Sequence, residues 1–228
     1  MIRNVVRFVV KWVKENPHAW WALVLIYLIA AYILPEKIIV DNYTSTAIPF
    51  DDLIPFFAPA VVLYVLWFPL MFFSGLWLMI LDGVNFRRYM LALAICMTVS
   101  GAIYLLWPNG QDLRPDLSQP GNFFEWLLGG LYRIDTNTNV LPSLHVSCVA
   151  AVIACMWSTD TIRLPWVRPA ITLLSLLVAS STVFVKQHAI LDLAAGAILG
   201  TAAVLIAFAV FRKRASPSAT SKEAQTWN

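Results

Sequence analysis

The sequence has few charged residues. Asp, Glu, Lys and Arg make up 13% of its 228 residues, whereas about 25% is usual in soluble domains. Apolar residues make up 60%, and the mean hydropathy is +0.71. Such a composition excludes an ordinary soluble domain and indicates a polytopic membrane protein, with the lipid bilayer as its first partner.

Cysteines, repeats and nucleic-acid motifs are also scarce. The three cysteines, Cys96, Cys148 and Cys155, all lie in apolar stretches, where buried cysteine usually behaves as a small hydrophobic residue. A disulfide framework is therefore not expected. The chain has no internal repeat and no basic stretch interleaved with aromatics, so we expect no nucleic-acid partner. Nothing in the sequence indicates an oligomeric state.

Six apolar stretches are long enough to cross about 30 Å of hydrocarbon. We therefore predict an all-α fold with six transmembrane helices, at about 19–35, 57–81, 89–107, 140–158, 167–185 and 189–211. We predict that the chain divides into a basic amphipathic helix (1–18), the first two transmembrane helices (19–84), a four-helix catalytic core (85–212) and a disordered cytoplasmic tail (213–228).

The N-terminal segment is basic and amphipathic. Arg3, Arg7, Lys11 and Lys14 fall on one helical face, and apolar residues cover the rest. This pattern predicts an interfacial helix. The alternative is a basic leader that only sets the orientation of the chain. A cleaved signal peptide is not expected, because the following apolar run ends without a small-residue cleavage site.

Lysine and arginine are distributed unequally between the two sides of the predicted spans. Twelve lie on the side of both termini: Arg3, Arg7, Lys11, Lys14, Arg87, Arg88, Arg163, Arg168, Arg212, Lys213, Arg214 and Lys222. Four lie on the other side: Lys37, Arg114, Arg133 and Lys186. By the positive-inside rule, both termini are cytoplasmic. We expect a multi-pass protein of the plasma (inner) membrane whose third connection, 108–139, lies on the periplasmic or extracellular side.

That third connection is too long for a simple turn. Its segment 122–132 is short and aromatic, which predicts a half-buried helix at the membrane interface. The segment is interpreted either as a lid that guides substrate or as packing between the helices.

Two histidines are predicted at the same outer depth of the membrane. His145 lies where the third outer connection enters the fourth span, and His188 lies where the fifth span returns to that side. Asp192 follows His188 at i, i+4 and so shares a helical face with it. Because ionisable groups are costly in hydrocarbon, intramembrane His and Asp indicate a functional site.

These residue types match the needs of phosphoryl transfer. A carboxylate on one imidazole nitrogen leaves the other as a neutral nucleophile, which is the role predicted for His188 and Asp192. His145 is then placed to protonate the leaving oxygen. Arg114 and Lys186 supply positive charge for the equatorial oxygens, and Ser143 supplies a donor at a helix N-terminus.

At these residues the chain resembles the type-2 phosphatidic acid phosphatase superfamily, over about residues 85–210. The second motif of that superfamily, Pro-Ser-x-His, is matched by Pro142, Ser143 and His145. The resemblance implies a metal-independent, cofactor-free membrane enzyme acting on lipid phosphates. In it, the histidine of the third motif forms a phosphohistidine and the histidine of the second motif is the general acid.

The other two motifs match in part. The third, Ser-Arg-x5-His-x3-Asp, is matched at Ser181, His188 and Asp192, but Thr182 stands where the arginine is expected. The first, Lys-x6-Arg-Pro, retains Arg114-Pro115, with Trp107 in place of the lysine. These departures look more like the inositol-phosphorylceramide synthase branch, which moves a phosphorylated head group between lipids. We expect Ser181 to bind phosphate and Lys186 to replace the missing arginine.

Three functional classes fit the sequence. The first is a lipid phosphate hydrolase and the second a phosphotransferase that uses a lipid or polyol hydroxyl. The third is non-enzymatic, a transporter or a metal-binding protein in which His145 completes a site with His188 and Asp192. The outer position of the polar groups disfavours a transporter, because transporters usually place charges at the midplane.

Overall fold

The computed structural model describes residues 2–30 and 42–212, in which helices dominate. The helices, in chain order, are α1 (Ile2–Glu15), α2 (Pro17–Ala30, with Pro17–Leu23 as 3-10 helix), α3 (Ala58–Leu81), α4 (Gly83–Leu106), α5 (Phe123–Tyr132), α6 (Leu144–Ser158), α7 (Val167–Phe184) and α8 (Ile190–Val210). Two short parallel strands, β1 (Thr44–Ser45) and β2 (Asn109–Gly110), pair at one end, and Pro49–Leu53 is a separate 3-10 turn.

Four of these helices are long and apolar enough to cross a membrane: α3, α4, α7 and α8. The other two apolar helices are shorter, since α6 covers Leu144–Ser158 and α2 is described only as far as Ala30. Large apolar side chains such as Phe72, Ile198 and Leu205 point outward from the long helices. Outward apolar faces of this length suit lipid rather than water. The prediction of a mostly helical fold is therefore confirmed, and among the described residues four of the six predicted spans are helices of spanning length.

The helix predicted at 89–107 begins earlier, at Gly83. Asp82 caps it, its carboxylate accepting from the Asn85 amide at 3.1 Å. The prediction began the span after Arg88, because Arg87 and Arg88 were assigned to the connection before it. In the structure Arg88 is buried, and it donates to the Phe211 carbonyl at 2.7 Å and to the Ser158 hydroxyl at 3.1 Å. Because these bonds satisfy the guanidinium, it is accommodated inside a helical bundle.

Helix α8 packs closely against α6 because two glycines face that helix. A Cβ atom on Gly196 would lie 2.6 Å from the Ser143 carbonyl oxygen, and one on Gly200 would lie 2.5 Å from that of Ser147. Small residues four apart allow such backbone approach between membrane helices. The Ser143 amide then donates to the Asp192 carbonyl at 3.0 Å. This contact joins the first turn of α6 to the first turn of α8.

A small apolar cluster closes the same end of the bundle. Leu128 of α5 is fully buried in it and packs with Val61 of α3 and Val185, just after α7. Asn122 caps α5 by accepting from two backbone amides, and Phe123 and Trp126 stay exposed. The half-buried helix predicted at 122–132 is therefore present, whereas its position relative to a membrane stays a prediction.

Two other predictions concern the ends of the chain. The helix predicted within 1–18 is present as α1, where the Arg7, Lys11 and Lys14 side chains are exposed. Its placement at a membrane surface stays a prediction. The predicted tail 213–228 and the end of the first predicted span, 31–35, lie outside the described residues.

Candidate active site

His188 is presented by a tight turn between α7 and α8. The Thr182 carbonyl accepts from the Gln187 amide at 2.9 Å and from the His188 amide at 3.2 Å. Within this turn Lys186 adopts a positive φ of 52°, a conformation uncommon for residues other than glycine. The turn directs the imidazole of His188 inward, where it is buried.

Asp192 fixes the orientation of the His188 ring. Its Oδ2 lies 3.3 Å from His188 Nδ1 and accepts from the Ala189 amide at 2.8 Å. Both side chains are buried, and the carboxylate sits in the first turn of α8, where the helix dipole favours negative charge. A carboxylate facing Nδ1 selects the tautomer with hydrogen on Nδ1. That tautomer leaves Nε2 of His188 with a free lone pair.

His145 lies in the first turn of α6, two residues after the capping residue Ser143. Its ring centroid lies 6.0 Å from that of His188, at an interplanar angle of 61°. On its other sides the ring packs against Tyr64 and Trp67 of α3, at centroid distances of 4.2 and 4.8 Å. Among the residues that the structure describes, Nε2 of His145 is buried without a hydrogen-bond partner. A buried imidazole nitrogen of this kind is ready to bond to a ligand or to water.

The two imidazoles share one small polar cavity. Its volume is about 30 Å³, which is enough for at least one water molecule. Its polar lining, apart from the histidines, consists of Tyr64, Tyr104, Asp135, Thr136, Thr138, Asn139 and Gln187.

Tyr104, near the end of α4, and Asn109, in β2, support the chain that leads into α6. Asn109 is fully buried, and its Oδ1 accepts from the Val140 and Leu141 amides at 3.0 and 2.8 Å. Tyr104 donates to the Pro142 carbonyl at 2.7 Å. These bonds fix the chain just before His145 and so determine where α6 begins.

Arg114 lies behind the cavity wall. Its guanidinium donates to the Asp135 carbonyl at 2.7 Å and to Gln187 Oε1 at 2.6 Å, and it stacks on the Tyr132 ring at 4.3 Å. Burial raises the pKa of the Tyr132 hydroxyl, which stays protonated and donates to the Val185 carbonyl. Gln187, which lines the cavity, therefore connects Arg114 to the site.

The two predicted serines serve helix ends and turns. Ser143 Oγ accepts from the Val146 amide at 3.4 Å, and Ser181 Oγ donates to the Val178 carbonyl at 2.7 Å. The hydroxyl of Thr182, at the position of the missing arginine, bonds to the Ala179 carbonyl. Trp107, at the position of the missing lysine, donates to Thr44 at 3.2 Å.

The structure directs Lys186 away from the position that the sequence prediction gave it. Its ammonium donates to the carbonyls of Asp51 and Ile54, at 2.8 and 2.7 Å. Asp51 in turn caps α8, since its Oδ1 accepts from the Ile190 amide at 2.8 Å. Together these bonds hold the 3-10 turn Pro49–Leu53 over the start of α8. The expected role of Lys186 as a substitute for the missing arginine finds no support in this geometry.

Replacing Lys186 with methionine, which keeps the length of the side chain, tests this assignment. We expect the free energy of unfolding to fall by about 1–3 kcal/mol, because two buried carbonyls lose their donor. In an assay of the lipid phosphate turnover that the sequence analysis predicts, the Michaelis constant should change less than about twofold. Thermal unfolding and steady-state kinetics in detergent measure both, with the exposed Lys14→Met as control. A Michaelis constant that rises tenfold at unchanged stability would return Lys186 to the phosphate site.

The sequence analysis missed four residues that shape the site: Tyr64, Asp135, Gln187 and Asp51. Tyr64 lies in an apolar stretch, where a single aromatic residue carries no signal, and Asp51 and Asp135 lie in the connections between predicted spans, where acidic residues are common. Gln187 had a local signal, since a glutamine next to an intramembrane histidine is itself a polar group that needs partners.

Within 2–30 and 42–212, no group of three or more His, Cys, Asp or Glu side chains is placed to hold a metal ion. Comparisons with protein-family models, with curated proteins and with solved structures find no match for this chain.

Proposed function

We propose that this chain is an integral-membrane lipid phosphatase or phosphotransferase of the type-2 phosphatidic acid phosphatase superfamily. It cleaves a lipid phosphate ester through a phosphohistidine on His188. One observation carries the proposal: two buried imidazoles, one from α6 and one from the turn before α8, line one cavity, and a carboxylate orients one of them. Nucleophile and acid on opposite sides of a phosphorus atom are what an in-line displacement needs.

The proposed reaction has two steps. In the first, His188 Nε2 attacks phosphorus, the ester P–O bond breaks, and a proton from His145 goes to the leaving oxygen. In the second, the oxygen of water or of an acceptor hydroxyl attacks the phosphohistidine, the P–N bond breaks, and that oxygen gives its proton to His145. Asp192 keeps the Nδ1 proton of His188 in place and stabilises the charged ring.

Positive electrostatic potential comes from two groups near the cavity. The N-terminus of α6 lies at the cavity, since Leu144 and His145 line it, and helix N-termini favour anions. Arg114 adds a full charge behind Gln187. These groups support binding of a phosphoryl group despite Thr182 and Trp107.

A phospho-head-group transferase is the second candidate. It is favoured by the uncharged polar lining contributed by Thr136, Thr138, Asn139 and Gln187, because hydroxyls and amides suit a polyol head group or an acceptor alcohol. The non-enzymatic candidates, a transporter or a metal-binding protein, have no comparable observation in their favour.

The proposed topology has six transmembrane helices, with α2 and α6 as the two short ones. The cytoplasmic side carries both termini and the majority of the lysines and arginines. The active site then faces the periplasm or the cell exterior, and the lipid substrate enters from the outer leaflet of the plasma membrane.

Incubation of the purified protein with radiolabelled phosphatidate, phosphatidylinositol and isoprenyl diphosphate tests the proposal. Product chromatography that reveals free phosphate indicates a hydrolase, and a new labelled lipid indicates a transferase. If no substrate is converted and no phosphoenzyme is trapped, the enzymatic proposal is wrong. Chelator sensitivity that zinc reverses favours the metal-binding alternative.

His145→Ala is expected to slow phosphoenzyme formation in a way that depends on the leaving group. A general acid contributes about 10²- to 10⁴-fold, and this help matters most for a poorly leaving alkoxide. We expect the rate of phosphoenzyme formation to fall by that factor with an alkyl phosphate and by less than about tenfold with a nitrophenyl phosphate. Rapid-quench measurement of the labelled protein gives both rates. Equal losses with both substrates would remove His145 from the acid role.

A further inference from the structure

We infer that Tyr64 of α3 is a positioning residue for His145, so that the reaction centre extends beyond residues 85–212. The inference rests on the proposed function. Tyr64 is almost fully buried, and its ring lies against the His145 ring at 4.2 Å, with an interplanar angle of 32°. This is the shortest of the ring contacts described around His145.

His145 depends on packing for its orientation. Its Nε2 has no hydrogen-bond partner among the described residues, so no hydrogen bond holds that nitrogen toward the cavity. The Tyr64 and Trp67 rings cover its sides instead, at tilts of 32° and 39°. Aromatic rings in such contacts stabilise one another beyond the area they bury. The two rings therefore restrict rotation of an imidazole whose centroid lies 6.0 Å from that of His188.

Tyr64 is itself held at both ends. Its hydroxyl donates to the carboxylate of Asp135, whose carbonyl accepts from Arg114. Its ring belongs to the apolar cluster with Val61 and Leu128. A ring fixed in this way transmits the position of the 135–140 loop to His145.

Leaving-group dependence separates positioning from mere support of the fold. Destabilisation lowers the fraction of active protein and slows alkyl and nitrophenyl substrates equally. Misalignment of the acid slows the alkyl substrate more. For Tyr64→Leu we expect the ratio of the nitrophenyl rate to the alkyl rate to rise about tenfold or more. This rise is smaller than the whole contribution of a general acid, which is about 10²- to 10⁴-fold. Tyr64→Phe keeps the ring and loses the Asp135 bond, so its ratio should rise only about threefold.

Two comparisons make the result decisive. Tyr89→Leu removes another buried tyrosine, which donates to the Met71 carbonyl at 2.9 Å, and it should leave the ratio unchanged. In a His145→Ala background, Tyr64→Leu should add no further change in the ratio, because the two residues act through one group. If the ratio responds to His145→Ala and not to Tyr64→Leu, the positioning role is wrong and the proposed function stands.

If the ratio does not respond to His145→Ala either, the acid role in the proposed function fails, and the positioning role fails with it. Absence of turnover in the wild-type protein would overturn both. These outcomes distinguish a failure of the inference from a failure of the function on which it rests.

Discussion

His188→Ala is expected to reduce lipid phosphate turnover to background and to abolish the acid-labile phosphoenzyme. The replacement removes the only imidazole whose Nδ1 faces Asp192, and with it the proposed nucleophile. Loss of a nucleophile in enzymes with a covalent intermediate commonly costs about 10⁴-fold or more. Radiolabelled phosphatidate followed by rapid quench and gel autoradiography measures turnover and intermediate together.

Two further substitutions are compared with His188→Ala. Asp192→Asn keeps the volume of the side chain and removes its charge. A phosphoenzyme should still be trapped in this variant, but it should form at least about 10²-fold more slowly than in the wild-type protein. His18→Gln alters the histidine near the other end of the bundle, where Nε2 lies 2.8 Å from the Met79 carbonyl, and should leave turnover unchanged. A phosphoenzyme that persists in folded His188→Ala protein would show that another residue is the nucleophile.

Gly200→Val should be the most damaging substitution far from the reacting atoms. A Cβ at this position would lie 2.5 Å from the Ser147 carbonyl oxygen and 2.8 Å from the Ser147 Cα. Both are backbone atoms of α6, so no side chain can rotate away, and α8 must shift. Overpacking usually costs about 1–3 kcal/mol, occasionally more. Because Asp192 and His188 belong to the same end of α8, the shift also separates them from His145.

We therefore expect Gly200→Val to lower the unfolding temperature and to reduce phosphoenzyme formation together. Thermal unfolding in detergent and rapid quench measure the two effects. Gly130→Val is the matched control, since nothing lies within 4 Å of a Cβ at Gly130 on α5, and it should change neither. Wild-type stability and activity in Gly200→Val would mean that α6 and α8 are not in close contact there.

The helices were predictable because their signal is local. Long apolar runs predict spans, and α3, α7 and α8 lie close to the predicted 57–81, 167–185 and 189–211. The start of α4 was not predictable in this way. The reason is that Arg88 becomes acceptable inside a helix only when Ser158 and Phe211, distant in sequence, provide acceptors.

The sequence by itself determined that His188 and Asp192 lie close together, because only three residues separate them. The predicted sharing of one helix face is not what brings them into contact, since His188 precedes α8 and the turn before Ala189 carries its Nδ1 to the carboxylate. Only the tertiary structure decided what stands around His145. The Tyr64 ring and the Gln187 amide reach the cavity through contacts between distant segments, which no local pattern encodes. It also decided the role of Lys186. An ammonium bonds equally well to a phosphate or to a backbone carbonyl, and the carbonyls of Asp51 and Ile54 are the acceptors that the folded chain brings to it.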